Sequence, residues 1–253
     1  MRRPTVRDAV AGLVVVLGAT GLSAAGAPSA TAAPTTSGLV LNYRFDSDTG
    51  VSARDSSPNA IHGTYVNTTA AAARSTGVPG RSWAINLVGV NDQFVSVPER
   101  NALDVDRFTV AALIRYTGVE NEQTLGRWEV IEKAGAYWIN VRTDGKVRVG
   151  GFFGGCTNPS WKFLDSNVAV PTNTWTHVAS TYNGSTLTVW INGARAGTMA
   201  VSGRTCSNNR PLAVGAKNYP AGSPEAFWDG QLDDIRIYRR ALSAAEIRGL
   251  LPT

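Results

Sequence analysis

The sequence predicts an all-β protein, a two-sheet antiparallel β-sandwich ending in a short C-terminal helix, and three observations carry the prediction. Trp175-Thr176-His177-Val178-Ala179-Ser180-Thr181-Tyr182-Asn183-Gly184 is followed by Leu187-Thr188-Val189-Trp190-Ile191-Asn192-Gly193, two period-two runs each closed by Asn-Gly, which predicts consecutive hairpins. Residues 137–143 and 146–153 alternate on either side of Asp144-Gly145, a dipeptide suited to a tight type I′ turn. Near the end, Leu232, Ile235, Ile237 and Tyr238 are the β-formers of a half-buried strand, and Ser243 with Glu246 three residues on makes a capping box for a helix. A chain of 253 residues that is 43% apolar buries one sizeable core, and a sandwich of this length forms a single domain.

The N-terminus belongs outside that domain. Arg2, Arg3 and Arg7 form a basic region, residues 9–22 an apolar run, and Ala30-Thr31-Ala32 an A-x-A cleavage site, so residues 1–32 read as a secretory signal peptide and 33–38 as a linker to a domain over 39–253. Arg2-Arg3 raises twin-arginine export, but Pro4-Thr5-Val6-Arg7 suits that route poorly and ordinary secretion is favoured. Losing Arg2, Arg3, Arg7 and Asp8 lowers the formal charge from +5 to about +3, too weak a bias for a nucleic-acid partner. No apolar run of about 18 residues follows Ala32, so membrane insertion is not expected. The expected product is secreted, extracellular and monomeric. Its two cysteines, Cys156 and Cys206, pair most simply as one disulfide in an exported chain.

Taken in order, residues 39–45 form a first strand, and residues 46–64 a long polar loop with turn residues throughout. Residues 64–80 are small and polar and are expected to cross an end of the sandwich. Strands follow at Trp83–Leu87 and Phe94–Val97, divided by Gly89-Val90-Asn91-Asp92, where Asp92 serves as a turn former. Phe108–Tyr116 is apolar on both faces until Arg115 and reads as a central strand. Residues 117–127 form a polar loop, 128–133 a strand, and 154–171 a loop carrying Trp161, Lys162 and Phe163.

Several stretches resemble one family. Phe227-Trp228-Asp229-Gly230-Gln231-Leu232-Asp233-Asp234-Ile235-Arg236-Ile237-Tyr238, the Trp-x-His-Val-Ala and Tyr-Asn-Gly block, and Phe45-Asp46 followed by Asp55-x-Ser57-x-Asn59-x-x-His62-Gly63 together resemble the laminin-G-like, concanavalin A-like jelly-roll family over about residues 39–250. Trp190 departs from the block, standing where other aromatics or aliphatics occur. The resemblance implies a jelly roll whose first strand lies beside its last, and in many members a calcium ion near that junction. Asp46, Asp55, Asn59 and Asp233 offer the oxygen ligands a hard cation takes, while Asp and Asn in such loops also cap turns through backbone bonds. Asp233 rather than Asp234 is taken to face the site, although a bulge would change the alternation.

Catalysis finds little support in the pattern. His177 has no carboxylate or nucleophile arranged beside it and reads as structural. Glu129 and Glu132, three apart on a strand, are expected on opposite faces, unlike the paired carboxylates of glycosidases. No catalytic residue is assigned. Trp161, Phe163, Tyr219 and Trp228 are the candidate ligand-binding rings, set against the alternative that such rings cover the ends of the core. Trp83, Trp138, Trp175 and Trp190 fall within strand patterns as core or sheet-face residues. The reading is a secreted, calcium-stabilised, non-catalytic module that binds polysaccharide or another glycan, or serves in adhesion. Its rivals are a polysaccharide lyase or hydrolase using Arg115, Tyr137, Arg142 and Arg148, and a protein-binding module.

Overall fold

The computed structural model describes residue 1 and residues 34–119, 126–157, 160–218 and 223–252, and the compact unit runs over Ala32–Thr253. The expected signal peptide lies outside the described residues, as does Tyr219. The strands in chain order are β1 (Leu39–Tyr43), β2 (Ser52–Ala53), β3 (Gly63–Val66), β4 (Arg74–Thr76), β5 (Trp83–Leu87), β6 (Phe94–Val97), β7 (Phe108–Tyr116) and β8 (Arg127–Lys133). They continue as β9 (Tyr137–Arg142), β10 (Lys146–Phe153), β11 (Ser160–Ala169), β12 (Thr176–Tyr182), β13 (Thr186–Ile191), β14 (Ala194–Ala200), β15 (Leu212–Val214) and β16 (Gly230–Tyr238). Two short α-helices, α1 (Ala70–Ala73) and α2 (Ala244–Arg248), and two 3-10 helices at Gly89–Asn91 and Asn101–Leu103 complete the described elements.

These strands form two antiparallel sheets, as the alternating pattern predicts. Sheet A runs β14-β13-β12-β7-β16-β5-β4, with β1 also on β16, and sheet B runs β11-β10-β9-β8-β15-β6-β3-β2. Inward-facing residues from both sheets, among them Leu41, Ile85, Val110, Ile114, Trp128, Ile139, Val149, Val178 and Ile237, fill one core. β7 is buried along nearly its whole length because sheet A is also covered outside: Ala111, Ala179, Trp190 and Tyr238 pack under Leu242, Ile247 and Leu250 of the C-terminal helix region. Ser243 caps α2 by accepting from the Glu246 N–H while the Glu246 carboxylate accepts from the Ser243 N–H, the capping box read from the sequence.

Two segments differ from expectation. Residues 64–80 hold β3, α1 and β4, with the Thr69 hydroxyl accepting from the Ala72 N–H to start α1. Residues 160–169, expected in a loop, form β11, the edge strand of sheet B. Its side chains are mostly exposed on both faces, so hydrophobicity does not alternate along it and the usual strand signal is missing.

The disulfide joins Cys156, just beyond β10, to Cys206, with Cα atoms 4.7 Å apart. The Arg204 carbonyl accepts from the Gly154 and Gly155 N–H groups, and buried Lys133 donates to the Asn208 and Arg210 carbonyls, so backbone bonds hold the same loop. Replacing both cysteines by serine is expected to lower stability by about 2–4 kcal/mol without loss of fold, read as an earlier urea midpoint at unchanged slope.

Candidate functional site

Sheet B alternates cleanly over β9 and β10, with Ile139, Val141, Val147 and Val149 entering the core and Trp138, Asn140, Arg148 and Phe152 turned to the opposite, outer face. On that face they line a cavity of about 440 Å³ together with Arg127, Glu129, Glu132, Trp161, Lys217 and Glu225. Trp138 sits against Phe152 and Trp161 with ring centroids 6.0 Å away in each case, and Phe152 stacks on Trp161 at 6.4 Å with planes 14° apart. Phe163 extends the strip, 5.7 Å from Trp161, with the Arg148 guanidinium 4.1 Å over its ring. Gly150 makes the strip possible. A Cβ there would lie 2.2 Å from the Trp138 ring, so only glycine lets the indole of β9 cross β10 toward Trp161 on β11.

The carboxylates of β8 correct the expectation of opposite faces. Glu129 pairs with Asn140 and Ile131 with Ile139, leaving Val130 as an extra residue in a β-bulge. The bulge resets the alternation, so Glu129 and Glu132, three apart, both line the cavity. Burial first, and then the Glu132 charge, push the Glu129 carboxyl well above its ordinary value, and burial raises Glu132 as well. Glu132 accepts from the Asn218 N–H at 2.8 Å. Glu129 Oε2 accepts from Asn140 Nδ2 at 3.3 Å and lies 3.5 Å from Arg127. Glu129 Oε1 and Asn140 Oδ1 are buried without a hydrogen-bond donor.

The other candidates separate. Trp161 and Phe163 lie on this strip, 60% and 41% exposed. Trp228 does not, and the expectation is corrected: it is 0% exposed, packed 6.3 Å from the Tyr116 ring inside the sandwich, where no ligand reaches it. The four residues of the enzyme rival also disperse. Tyr137 is in the core, donating to the Leu103 carbonyl, and Arg115 lies on sheet A bonded to Gln231. Arg142 and Arg148 both grip Asp165. Trp138, Phe152 and the carboxylate pair were missed as a site because each sits inside a regular strand, where a ring or acid reads as sheet surface.

The cation-ligand set divides in a similar way. Asp55 Oδ1 accepts from the Asn42 and Ser57 N–H groups, and its Oδ2 from the Ile61 N–H and the Ser57 hydroxyl, while Asn59 donates to the Val40 carbonyl. Asp55 is thus fully engaged in folding its own loop, which corrects its assignment as a ligand, while Asn59 pins that loop to β1 through its amide nitrogen. Among the described residues no three Asp, Glu, His or Cys side chains converge to hold a metal ion. Asp46 accepts from the Trp83 N–H at 3.2 Å and pairs with Arg44 at 3.0 Å on a partly exposed carboxylate, whereas Asp233 Oδ2 is buried without a donor. Burial, the Asp234 charge and the Asp46 charge push the Asp233 carboxyl up to about 7. Asp234 occupies the bulge of β16 at φ 48° and is held instead between Arg81 at 2.9 Å and Arg236 at 2.8 Å. In the same sheet His177 aligns with Leu113, itself aligned with Asp233, and burial pushes it down to about 3, which keeps it neutral.

Solved structures share this architecture. The binding domain of paraclostridial mosquitocidal protein 1 superimposes with a TM-score of 0.64 at 19% identity over 84% of this chain and 51% of that one. Domain 4 of AbnA, an extracellular arabinanase of Geobacillus stearothermophilus solved with arabinotriose, gives 0.60 at 20% identity over 84% of this chain and 97% of that one. The binding domain of botulinum neurotoxin DC, solved with SialylT, gives 0.58 at 13% identity over 84% and 50%. The chain spans about half the length of the two toxin domains. At these identities the likeness is one of fold. No curated protein matches the sequence. The laminin G family model described as the concanavalin A-like lectin/glucanases superfamily matches residues 89–248, more than half of the chain, as the motifs at its middle and end imply. The chain therefore belongs to the concanavalin A-like lectin/glucanases superfamily, of the laminin G type.

Proposed function

We propose that the trough on sheet B binds carbohydrate, and that the protein is a lectin-like binding module. The observation that carries this is the strip Trp138–Phe152–Trp161–Phe163 running beside two buried, donor-free acceptors, Glu129 Oε1 and Asn140 Oδ1. Sugars present both complements, C–H faces for the rings and hydroxyl donors for the acceptors. The arabinotriose bound by the arabinanase domain and the SialylT bound by the toxin domain support a glycan as ligand. Export is part of the proposal, supported by the N-terminal sequence pattern and the Cys156–Cys206 bond. Among the described residues no helix is long and apolar enough to cross a membrane.

One observation favours a second reading. Glu129 and Glu132 share a face, and a raised carboxyl beside a second carboxylate is the pairing that glycoside hydrolysis uses. Incubation with a panel of soluble and insoluble polysaccharides, assayed for both retained protein and released sugar, separates the two. Retention without release supports the module, release abolished by Glu129→Gln makes the protein a hydrolase, and neither outcome moves the ligand to a protein.

We further propose that calcium, implied by the family resemblance, is held by Asp233 with Asp46. The open Asp233 Oδ2 and the mutual repulsion of the nearby carboxylates support this placement, while the hydrogen bonds on both oxygens of Asp55 leave it out. A cation there would neutralise a buried charge and fasten the loop after β1 to β16.

Two sets of variants test these proposals. Trp161→Ala, which removes an exposed ring, is expected to weaken glycan binding about tenfold with an unchanged melting temperature. Gly150→Ala is expected to displace Trp138 and weaken binding at a stability cost of about 1–3 kcal/mol from overpacking. For the cation, the sign follows from linkage. Without metal, the raised Asp233 stabilises the fold while protonated, an effect present below the ordinary carboxylate range and lost as pH rises through about 7. In chelator, Asp233→Asn should therefore gain in melting temperature over the wild type from pH 5 to pH 8. In calcium the order should reverse at pH 8, and an unchanged order would overturn the site.

A further inference from the structure

Where the trough crosses β8 and β9 it carries more carboxylates than cations, and that excess names a class of sugar within the carbohydrate-binding reading above, on which this inference rests. Strand register sets Glu129 beside Asn140 and Glu132 beside Trp138. Both acids line the cavity, together with a third carboxylate, Glu225, and the cations Arg127 and Lys217. Lys217 is paired with Glu225. Arg127 is shared, 3.5 Å from Glu129 and 3.7 Å from Glu225. Glu132 accepts from the Asn218 N–H and forms no ion pair with a described residue. Arg148, the remaining cation on the cavity, stands two strands from Glu129, roughly 10 Å away, and is taken up by a bidentate pair with Asp165. Residues 120–125, 158–159 and 219–222 contain no Lys or Arg and so add no cation. Three carboxylates thus share two cations.

The atoms left without partners indicate which group would answer the excess. Glu129 is 2% exposed and Asn140 3%, and Glu129 Oε1 and Asn140 Oδ1 have no donor. Both are acceptors, and a buried acceptor left unmet carries a desolvation cost that a ligand's donor removes. A hydroxyl would supply one donor, bring lone pairs of its own and leave the charge as it was. An alkylammonium supplies three donors and no acceptor, and its charge compensates the buried acids. The rise of the Glu129 carboxyl, caused by burial and then by the Glu132 charge, is what a carboxylate short of counter-charge shows. The chain as a whole is basic, at +5, so attraction for a cation belongs to this site and not to the surface at large.

We propose that the trough recognises an amino sugar. Its protonated amine is held by Glu129, Glu132 and Asn140, and its apolar face rests on the strip of Trp138, Phe152 and Trp161. An N-acetylated sugar, with one N–H donor and no charge, cannot make the same contacts.

The test uses oligosaccharides that differ only at one carbon. Oligomers of glucosamine, N-acetylglucosamine and glucose with the same linkage and length, and the same three forms of the galactose series, are titrated calorimetrically into the full chain at about pH 6, where an amine is protonated. In at least one series the amine form is expected to bind roughly tenfold more tightly than the hydroxyl form, the margin of a charge-assisted hydrogen bond over a neutral one, and acetylation should abolish the advantage. Glu129→Gln should bring the amine form down to the hydroxyl form, and Trp161→Ala should weaken both alike. Should Glu129→Gln fail to fold, the comparison of amine with acetylated form on the wild type decides alone. Equal or tighter binding of the hydroxyl or acetylated form, or an amine preference that survives Glu129→Gln, would overturn the amino-sugar inference, and dependence of that binding on Trp161 would leave the trough reading standing. Binding by none of the six overturns the inference as well, and the polysaccharide panel above then decides the reading beneath it.

Discussion

Sheet A depends on one strand that changes partners halfway along. β16 keeps β7 on one side throughout, but on the other it pairs with β5 through Leu232 and with β1 from Ile235 onward. The bulge between Asp233 and Arg236 marks the exchange, and it requires a residue in the left-handed region, which Asp234 supplies. A bulge at the centre of a sheet leaves polar backbone and side chains away from water, so the charges brought there must be satisfied internally. Arg81 and Arg236 do this for Asp234, with Asn42 of β1 accepting from Arg236. Removing both arginines would leave a buried carboxylate uncompensated, a defect of about 3–5 kcal/mol. The seam between the first and last strands is thus held by electrostatics inside an otherwise apolar sheet.

Sheet B uses the same device for another end. In β8 the extra residue is Val130, which stays in the core, and the effect appears on either side of it, where two acids share the outer face. Gly150 in β10 contributes the complementary omission, giving up a side chain so that an indole from one neighbour meets rings from the other. One inserted residue and one absent side chain convert an ordinary sheet surface into a trough with a polar well and an aromatic ramp.

The sequence made the strand pairs legible wherever one face is apolar and turns are punctuated, as in Phe108–Tyr116 and the two Asn-Gly hairpins. The capping box at Ser243 and the disulfide partners were equally plain, because each rests on local chemistry or simple pairing. β11 was hidden because an exposed edge strand has no buried face to report. The Glu129–Glu132 pair was hidden because strict alternation cannot anticipate a bulge, which depends on how β9 pairs. Trp228 was misplaced for the converse reason, since a tryptophan beside Asp-Gly looks like a loop ring until the packing beneath Tyr116 is known. Asp55 looked like a ligand because its oxygens meet backbone donors that composition alone does not reveal.

The placement of β1 also governs the order in which the chain can assemble. Its strand partner, β16, lies almost the whole domain later in the sequence. The hairpins of β8 to β10 and β12 to β14 close short loops and can form early, whereas β1 must wait for a contact of very long sequence separation. A chain still emerging from its synthesis therefore cannot finish sheet A. β1 can be captured only once β16 exists, and until then its open edge needs protection from other chains.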